Sequence, residues 1–283
     1  MSQISLGTNA VNTWCPGCGN FAILNAFKSA LAELNAEGLP LENVVLVSGI
    51  GCHAKIVDYL SLNSFYSIHG RVTPAAEGIK LANPNIKVIG FAGDGDAYGE
   101  GIEHLIFAAK RNIDITMIIH NNRVYGLTTG QYTPTSPLGF KGRSTPFGTR
   151  ELPVNPLELM LASGATFLAR GTSHGSELLK KIFKEAILHK GVSLVDVLQV
   201  CFTYFNMYEY YDKHVYDLAE HDPQDYNQAL NKIREWDYNS DSRIALGVFY
   251  KKEIPTFEER FLSKNKKAID RDVKINEFLE TSI

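Results

Sequence analysis

The sequence lacks the features that direct a chain to a membrane or to nucleic acid. Its 283 residues carry a formal net charge of only -3, so no basic excess favours nucleic acid or an acidic membrane as a partner. No apolar run approaches the roughly 18 residues needed to span a bilayer. Residues 1–15 also lack the basic segment followed by an apolar one that marks a signal peptide. We therefore expect a soluble, cytoplasmic protein.

Cysteine is also scarce, and the four that occur are Cys15, Cys18, Cys52 and Cys201. In a cytoplasmic chain, thiols serve metals or redox chemistry more often than disulfides. The Cys15-x-x-Cys18 motif in "TWCPGCGN" is compatible with a thioredoxin-type dithiol, half a zinc site or half an iron–sulfur site. No strand pattern precedes this motif, which argues against the dithiol. Four cysteines fit a single four-thiolate centre, either of zinc or of iron and sulfur.

Short apolar, β-branched runs alternate with helical patterns along most of the chain. Because continuous Val/Ile runs between helices are typical of buried parallel strands, we expect a Rossmann-like α/β fold with helices on both faces of the sheet. Residues 202–283 are rich in tyrosine and charge and show no strong strand pattern, so we interpret them as an extension that wraps the core or a partner. Strands are predicted within residues 43–52, 86–96, 113–122, 164–171 and 192–201, and helices within 21–34, 71–84, 101–111 and 176–190.

Polar or thiol side chains follow four of the predicted strands. Cys52, Asp94, Asn122 and Cys201 each come at or just after the C-terminal end of a strand. In open α/β sheets, ligands bind at this edge. The sequence therefore predicts that these four residues contribute to one site.

The segment "GFAGDGDAYGEG" places two carboxylates, Asp94 and Asp96, among glycines that allow close approach of the backbone to a ligand. It contains neither G-x-G-x-x-G in frame nor a Walker A motif, and an acidic loop needs a divalent cation to hold a diphosphate. Asn122 follows Asp94 by 28 residues, about the length of a unit that returns the chain to a neighbouring strand end. With the carbonyl of Val124, these side chains would supply three oxygen ligands for Mg²⁺.

A G-D-G motif followed by N-N at this spacing resembles the signature of thiamine-diphosphate enzymes. The resemblance implies Mg²⁺ bound by Asp94, Asn122 and the Val124 carbonyl. It also implies that the loop backbone at Gly95 and Asp96 contacts the diphosphate.

The segments "WCPGCGN", "GIGC", "HGRVTPAAEGIKLANP", "NNRVYGLTTGQYTPTSP" and "GVFYKKEIPTFEER" resemble the β subunits of 2-oxoacid:ferredoxin oxidoreductases. The resemblance implies a [4Fe–4S] cluster on Cys15, Cys18, Cys52 and Cys201, with residues 1–201 as the cofactor-binding domain. It implies coenzyme A-dependent oxidative decarboxylation of a 2-oxoacid, with electrons passing through the cluster to ferredoxin. The phrase "YGLTTGQ" is more similar to the 2-oxoglutarate or broad 2-oxoacid subgroup than to the strictly pyruvate-specific one.

The same resemblance assigns residues to the pocket. Lys55 is expected to pair with the substrate carboxylate, and the residues expected to flank the cofactor or line the substrate pocket are Ile50, Gly51, Cys52, His53, Gly126 and Leu127.

The remaining histidines are interpreted from their positions in the sequence. His69 and Arg71 in "IHGR" are further candidates for the active site. His104, His174 and His189 fall in helix or loop patterns and are expected to be structural or solvated.

Thiamine catalysis needs a glutamate at the aminopyrimidine ring, which this family supplies from a separate domain. The chain is too short to contain both domains, and Glu77, Glu100 and Glu103 fit helix first turns or the surface. We therefore expect an α subunit in an αβ or α2β2 assembly.

Two alternatives compete with this interpretation. A non-oxidative thiamine decarboxylase or carboligase would not need the four cysteines. A non-catalytic subunit that uses the four cysteines to bind zinc or an iron–sulfur cluster would not need the pair formed by Asp94 and Asn122.

Overall fold

The computed structural model of the chain describes residues 6–261, 266–271 and 280. Eight strands form its main sheet: β1 (Val44–Ser48), β2 (Asn63–Tyr66), β3 (Lys87–Gly93), β4 (Thr116–Asn121), β7 (Phe167–Thr172), β8 (Ser193–Leu198), β9 (Val215–Asp217) and β10 (Ile244–Lys251). Their order is β2-β1-β3-β4-β8-β7-β10-β9. A separate antiparallel hairpin joins β5 (Val124–Tyr125) to β6 (Gln131–Tyr132).

The five strands expected from the sequence are β1, β3, β4, β7 and β8, and they pair in parallel. Every residue of β4, β7 and β8 is buried, because helices cover both faces of the sheet. Burial on both faces explains why these strands read as continuous apolar runs. The predicted α/β fold is confirmed.

Helices α1 (Asn20–Ala36) and α5 (Ser176–Leu188) cover one face of the sheet. On that face Phe27 packs edge-on against Phe91 of β3 and Phe183 of α5, with ring centroids 5.0 and 5.9 Å apart. The other face carries α2 (Val72–Ala82), α3 (Ile102–Arg111), α4 (Pro156–Ala162) and α7 (Tyr226–Ile233). Two shorter helices, α6 (Tyr208–His214) and α8 (Phe257–Phe261), complete the fold.

The segment after residue 201 differs from the expectation, because it contributes two strands to the main sheet. β10 pairs antiparallel with β7, and β9 pairs in parallel with β10. The apolar run of β10 is broken by Gly247 at φ 138° and by a register shift between Val248 and Tyr250, which obscured its strand pattern. Part of the segment is thus an added edge of the core sheet, and its contact with a partner remains a prediction. Its residues 262–265, 272–279 and 281–283 lie outside the described part.

The sequence pattern also did not indicate β2. All four of its residues are exposed, so the strand has no buried face to impose an apolar alternation. Among the described residues, no helix has the length and apolar character needed to cross a bilayer.

Candidate active site

The strand ends meet as the sequence predicts. Since β1, β3, β4 and β8 are parallel neighbours, the residues that follow them lie along one edge of the sheet. A cavity of about 210 Å³ opens there. Its lining includes all the residues expected at the metal, the diphosphate and the cofactor, namely Ile50, Gly51, Cys52, His53, Asp94, Gly95, Asp96, Asn122, Val124, Gly126 and Leu127.

Asp94 follows β3 directly and its side chain is buried. Desolvation raises the pKa of this carboxyl to about 6, although hydrogen bonds from Thr133 and Thr135 oppose the rise. Thr135 Oγ1 lies 2.8 Å from Asp94 Oδ2. A carboxylate held in this way would gain from a cation beside it, because the cation would offset the cost of burying the charge.

Asn122 and Val124 lie on either side of a sharp turn after β4. Asn122 Oδ1 accepts a hydrogen bond from Val124 N at 3.1 Å. Between them Arg123 adopts a left-handed conformation at φ 61°, which is unfavourable for a side chain of this size. Its buried guanidinium compensates by donating to the carbonyls of Thr135, at 2.8 Å, and Tyr238. The turn brings Asn122 and Val124 to the same cavity as Asp94.

Asp96 turns its carboxylate towards two histidines. Its Oδ2 lies 3.2 Å from His53 Nε2, and its Oδ1 lies 2.9 Å from His69 Nδ1 and accepts from Gly70 N. The contact needs a glycine at position 49, where an added Cβ would lie 1.8 Å from Asp96 Oδ2. The Asp96 carboxylate therefore lies within ion-pair distance of both rings beside the cavity. Contact between its backbone and a diphosphate remains a prediction.

His120 is a cavity residue that the sequence analysis missed. Its Nδ1 lies 2.7 Å from Asn20 Oδ1, and its Nε2 has no hydrogen-bond partner among the described residues. Burial lowers the pKa of His120 well below its usual value, so the ring is neutral and Nε2 is available to a bound group. The sequence feature that could have revealed His120 is strand periodicity, because residues 120 and 122 point to the same side of an extended chain.

Tyr125, Thr128 and Gln199 also line the cavity and were not expected from the sequence. His69, a candidate from the sequence, lines it as well. Arg71, which was considered together with His69, is not among the lining residues and instead donates to the Glu100 carbonyl at 3.1 Å. Tyr125 also directs its hydroxyl to the Glu100 carboxylate, 3.2 Å away at the nearer oxygen.

A second cavity, also of about 210 Å³, is lined by all four cysteines. Cys15 is exposed and the other three are partly buried. Burial is the largest cause that raises the pKa of Cys18 to about 12, and charge on the other three thiolates contributes in the same direction. Gln199 Nε2 lies 3.6 Å from Cys18 Sγ, and Trp14 Nε1 donates to the Cys52 carbonyl at 2.6 Å. The fold thus gathers the cysteines from the N-terminal loop and two strand ends.

The two cavities share a wall. Cys52, Asn122, Gly126, Leu127 and Gln199 line both of them. A Cβ added to Gly126 would lie 3.6 Å from Cys52 Sγ, 3.7 Å from Asn122 Nδ2 and 3.8 Å from Cys201 Sγ. The expected metal site and the cysteines are therefore separated by little more than one glycine.

Lys55 lies on the cysteine-lined cavity, where its Nζ is 2.9 Å from Thr13 Oγ1. It does not line the cavity that contains Asp94. Pairing of this lysine with a substrate carboxylate is untested. At the mouth of the site, the side chains of Ile50 and Leu127 are 47% and 49% exposed.

Comparison with known proteins agrees with this arrangement. Residues 49–197 match the thiamine pyrophosphate enzyme, C-terminal TPP binding domain. Residues 200–266 match the family that forms the C-terminal part of the pyruvate ferredoxin oxidoreductase beta subunit.

Similar proteins match most of the chain. The chain is 44% identical over 276 residues to a 2-oxoacid:ferredoxin oxidoreductase subunit beta of Saccharolobus solfataricus, covering 92% of this chain and 88% of that one. It is 45% identical over 188 residues to the 2-oxoglutarate oxidoreductase subunit KorB of Mycobacterium tuberculosis, covering 66% of this chain and 50% of that one.

A solved structure of 2-oxoglutarate:ferredoxin oxidoreductase from Magnetococcus marinus, with 2-oxoglutarate, coenzyme A and succinyl-CoA bound, has a TM-score of 0.87. It is 31% identical in sequence, and the likeness covers 98% of this chain and 94% of the other. With the fold, the strand-end site and these matches taken together, the chain belongs to the β subunits of the 2-oxoacid:ferredoxin oxidoreductases.

Proposed function

We propose that this β subunit holds thiamine diphosphate through Mg²⁺ bound by Asp94, Asn122 and the Val124 carbonyl. The donor set supports the proposal, because a carboxylate, an amide oxygen and a carbonyl are the hard ligands that Mg²⁺ takes alongside phosphate oxygens. The buried carboxyl of Asp94, with its raised pKa, also fits a site completed by a cation. The residues present therefore fit the group.

We propose further that Cys15, Cys18, Cys52 and Cys201 hold a [4Fe–4S] cluster. All four line one cavity, and ligation by four cysteines is typical of such clusters. Zinc held by four thiolates is the alternative for the same residues, and an assay of iron and zinc distinguishes the two.

The observation that carries the proposal is the shared wall at Gly126. When bound, thiamine diphosphate supplies the carbanion chemistry that lets a 2-oxoacid lose CO2, and the cluster accepts electrons one at a time. Gly126 has no side chain to separate Asn122 from Cys52 and Cys201, which keeps the path for electrons short. A decarboxylase that does not oxidise its substrate has no use for this arrangement.

Several side chains have roles that do not depend on the cofactor's own chemistry. Asp96 places its carboxylate within 3.2 Å of His53 and 2.9 Å of His69 on the cavity wall. The neutral His120 presents Nε2 as a hydrogen-bonding group for whatever is bound. Ile50 and Leu127 provide apolar surface at the mouth, which would exclude water once it is covered.

The site needs a partner subunit. Its cavity of about 210 Å³ is smaller than the roughly 300–1,000 Å³ of small-molecule sites, and no glutamate is among its described lining residues. We propose that an α subunit lies over the mouth and supplies the glutamate for the aminopyrimidine ring. With that partner, the enzyme would convert a 2-oxoacid and coenzyme A to acyl-CoA and CO2, and would pass electrons to ferredoxin. Some similar proteins are named for 2-oxoglutarate and others for 2-oxoacids in general, and we propose 2-oxoglutarate as the preferred substrate.

The test is an anaerobic assay of the β subunit alone, of the α subunit alone and of the two purified together, with coenzyme A and methyl viologen. We expect viologen reduction only from the complex, with a higher kcat/KM for 2-oxoglutarate than for pyruvate. Full activity of the β subunit alone would refute the need for a partner. Aldehyde production without viologen reduction would instead support the non-oxidative decarboxylase.

A further inference from the structure

The loop of residues 137–150, here called the basic loop, has an unusual charge. It contains Lys141, Arg143 and Arg150 and no Asp or Glu, in a chain whose formal net charge is -3. All three cationic residues are exposed. The loop lies outside the machinery described above, so its charge needs a separate explanation.

The basic loop packs against the turn that begins with the fourth cysteine. Phe140 meets Phe205 edge-on with ring centroids 5.1 Å apart. Phe205 in turn donates from its backbone N–H to the Cys201 carbonyl at 3.0 Å. Nearby, Arg143 donates from its backbone N–H to the Gly130 carbonyl at 3.3 Å, and Gly130 lies against the ring of Tyr204. The loop thus rests on the outer side of the cysteine-lined cavity.

The basic loop is held in one shape and exposes apolar side chains as well as charge. Gly139 N donates to the Thr149 carbonyl and Thr149 N donates to the Phe140 carbonyl, each at 2.9 Å. Between these paired residues Phe147 is 95% exposed. A large apolar side chain exposed in a cationic rim is typical of a protein-binding surface.

We propose that the basic loop is the docking surface for the acidic one-electron carrier that oxidises this enzyme, a ferredoxin. The inference rests on the proposed function, and it adds the location and the chemistry of the contact. For each 2-oxoacid converted to acyl-CoA and CO2, two electrons and one proton are released, so two oxidised carriers each leave reduced by one electron. A carrier on this surface faces the turn that holds Cys201. Charge complementarity speeds such short-lived encounters and makes them sensitive to salt.

The test compares two double variants of the α–β complex. Lys141→Glu with Arg150→Glu reverses the charge of the loop and leaves intact Arg143, whose guanidinium contacts Thr129 Oγ1. The matched control, Lys110→Glu with Lys190→Glu, makes the same change in net charge at two exposed positions. Both control positions lie at the opposite end of the sheet, because they precede the starts of β4 and β8.

We expect the loop variant to raise the KM for an acidic ferredoxin about tenfold at low salt, and to raise the Kd of the ferredoxin complex in parallel. The difference from the wild type should shrink in 0.5 M NaCl. Reduction of methyl viologen should be unchanged, and the control variant should match the wild type with both acceptors. Phe147→Ala should raise the KM for ferredoxin without altering its salt dependence.

Two other outcomes would contradict the docking proposal, and a third would contradict the proposed function. A loop variant with unchanged KM and Kd for ferredoxin would overturn the docking proposal. Loss of the α subunit or of viologen reduction in that variant would also overturn it, because the loop would then belong to the subunit interface. Wild-type complex that reduces neither viologen nor ferredoxin would refute the proposed function itself, independently of the loop.

Discussion

Thr135 links two residues that flank the predicted magnesium site. Its Oγ1 lies 2.8 Å from Asp94 Oδ2 and 2.9 Å from Asn121 Oδ1. A hydroxyl has one proton to donate, so at any moment it donates to one of the two oxygens. All three side chains are buried, and Thr135 therefore fixes Asp94 relative to the residue that precedes Asn122.

Thr135→Val should weaken binding of Mg²⁺ and thiamine diphosphate, because Asp94 would lose a donor that holds it in place. Residues that orient metal ligands typically contribute about 10- to 100-fold in affinity. Thr135→Ser keeps the hydroxyl and should restore most of that affinity. Titration calorimetry of the anaerobic protein with Mg²⁺ and thiamine diphosphate measures the change. Equal affinity in the valine and serine variants would show that the hydroxyl does not position Asp94.

A buried charged group connects the C-terminal segment to the same network. Arg170 Nη2 donates to Tyr238 Oη at 3.2 Å, and Tyr238 donates to Asp196 Oδ2 at 2.5 Å. Asp196 also accepts from Asn121 at 3.0 Å. Burial raises the pKa of Asp196, and the charge of Arg170 acts in the opposite direction. The guanidinium therefore adds to the hydrogen bonds from Tyr238 and Asn121 in stabilising the buried carboxylate.

Arg170→Met should lower the free energy of unfolding by about 1–3 kcal/mol, because the buried Tyr238 hydroxyl would lose a donor and Asp196 would lose the favourable charge of the guanidinium. Adding Asp196→Asn to that variant should recover part of the loss, since the remaining charge is then removed as well. Denaturant unfolding of the wild type, the two single variants and the double variant gives the comparison. If the losses of the two single variants simply add up in the double variant, the two charges act independently.

His189 is a buried histidine remote from the site. Its Nε2 lies 2.9 Å from Thr166 Oγ1, and burial lowers its pKa to about 4. Because an unfolded histidine titrates near 6.5, the unfolded state binds the proton more tightly than the folded one. The contribution of the neutral ring to stability is thus complete above about pH 6.5 and is lost as the pH falls towards 4.

His189→Gln should reduce the dependence of stability on pH in this window. We expect the wild type to lose more stability than the variant between pH 7.5 and 4.5, measured as the urea midpoint of unfolding at each pH. Parallel losses in the two proteins would show that His189 does not titrate between its folded and unfolded states.

Separate loss of the two cofactors is a further expectation. Asp94→Ala should abolish binding of thiamine diphosphate while leaving the iron content unchanged, because Asp94 does not line the cysteine cavity. Cys201→Ser should lower the iron content while leaving thiamine bound, because Cys201 is not among the residues around Asp94. Iron and thiamine assays on each variant test this. If each variant lost both cofactors while its fold stayed intact, the two cofactor sites would not be independent.

The part of the site that could be predicted from the sequence consists of residues at the C-terminal ends of strands. Asp94, Asn122 and the cysteines could be grouped because parallel strands bring their C-terminal ends to one edge. Thr135 could not be predicted, since it reaches Asp94 only through the turn and hairpin after β4. The strand β10 was missed because Gly247 and a register shift interrupt its pattern. The contact of Lys55 Nζ with Thr13 Oγ1 could not be predicted either, because packing sets the direction of this side chain, and its expected pairing with a substrate carboxylate stays a prediction.

The most direct test of the account is to purify the chain without oxygen, record its visible spectrum and assay iron and thiamine on the same sample. The account predicts a brown protein with broad absorption near ~400 nm, about four irons per chain, as expected for a [4Fe–4S] centre on four cysteines, and bound thiamine. A colourless protein with one zinc per chain would remove the path for electrons and contradict the central claim. Thiamine without iron, persisting after anaerobic reconstitution with iron and sulfide, would contradict it equally and leave a non-oxidative decarboxylase.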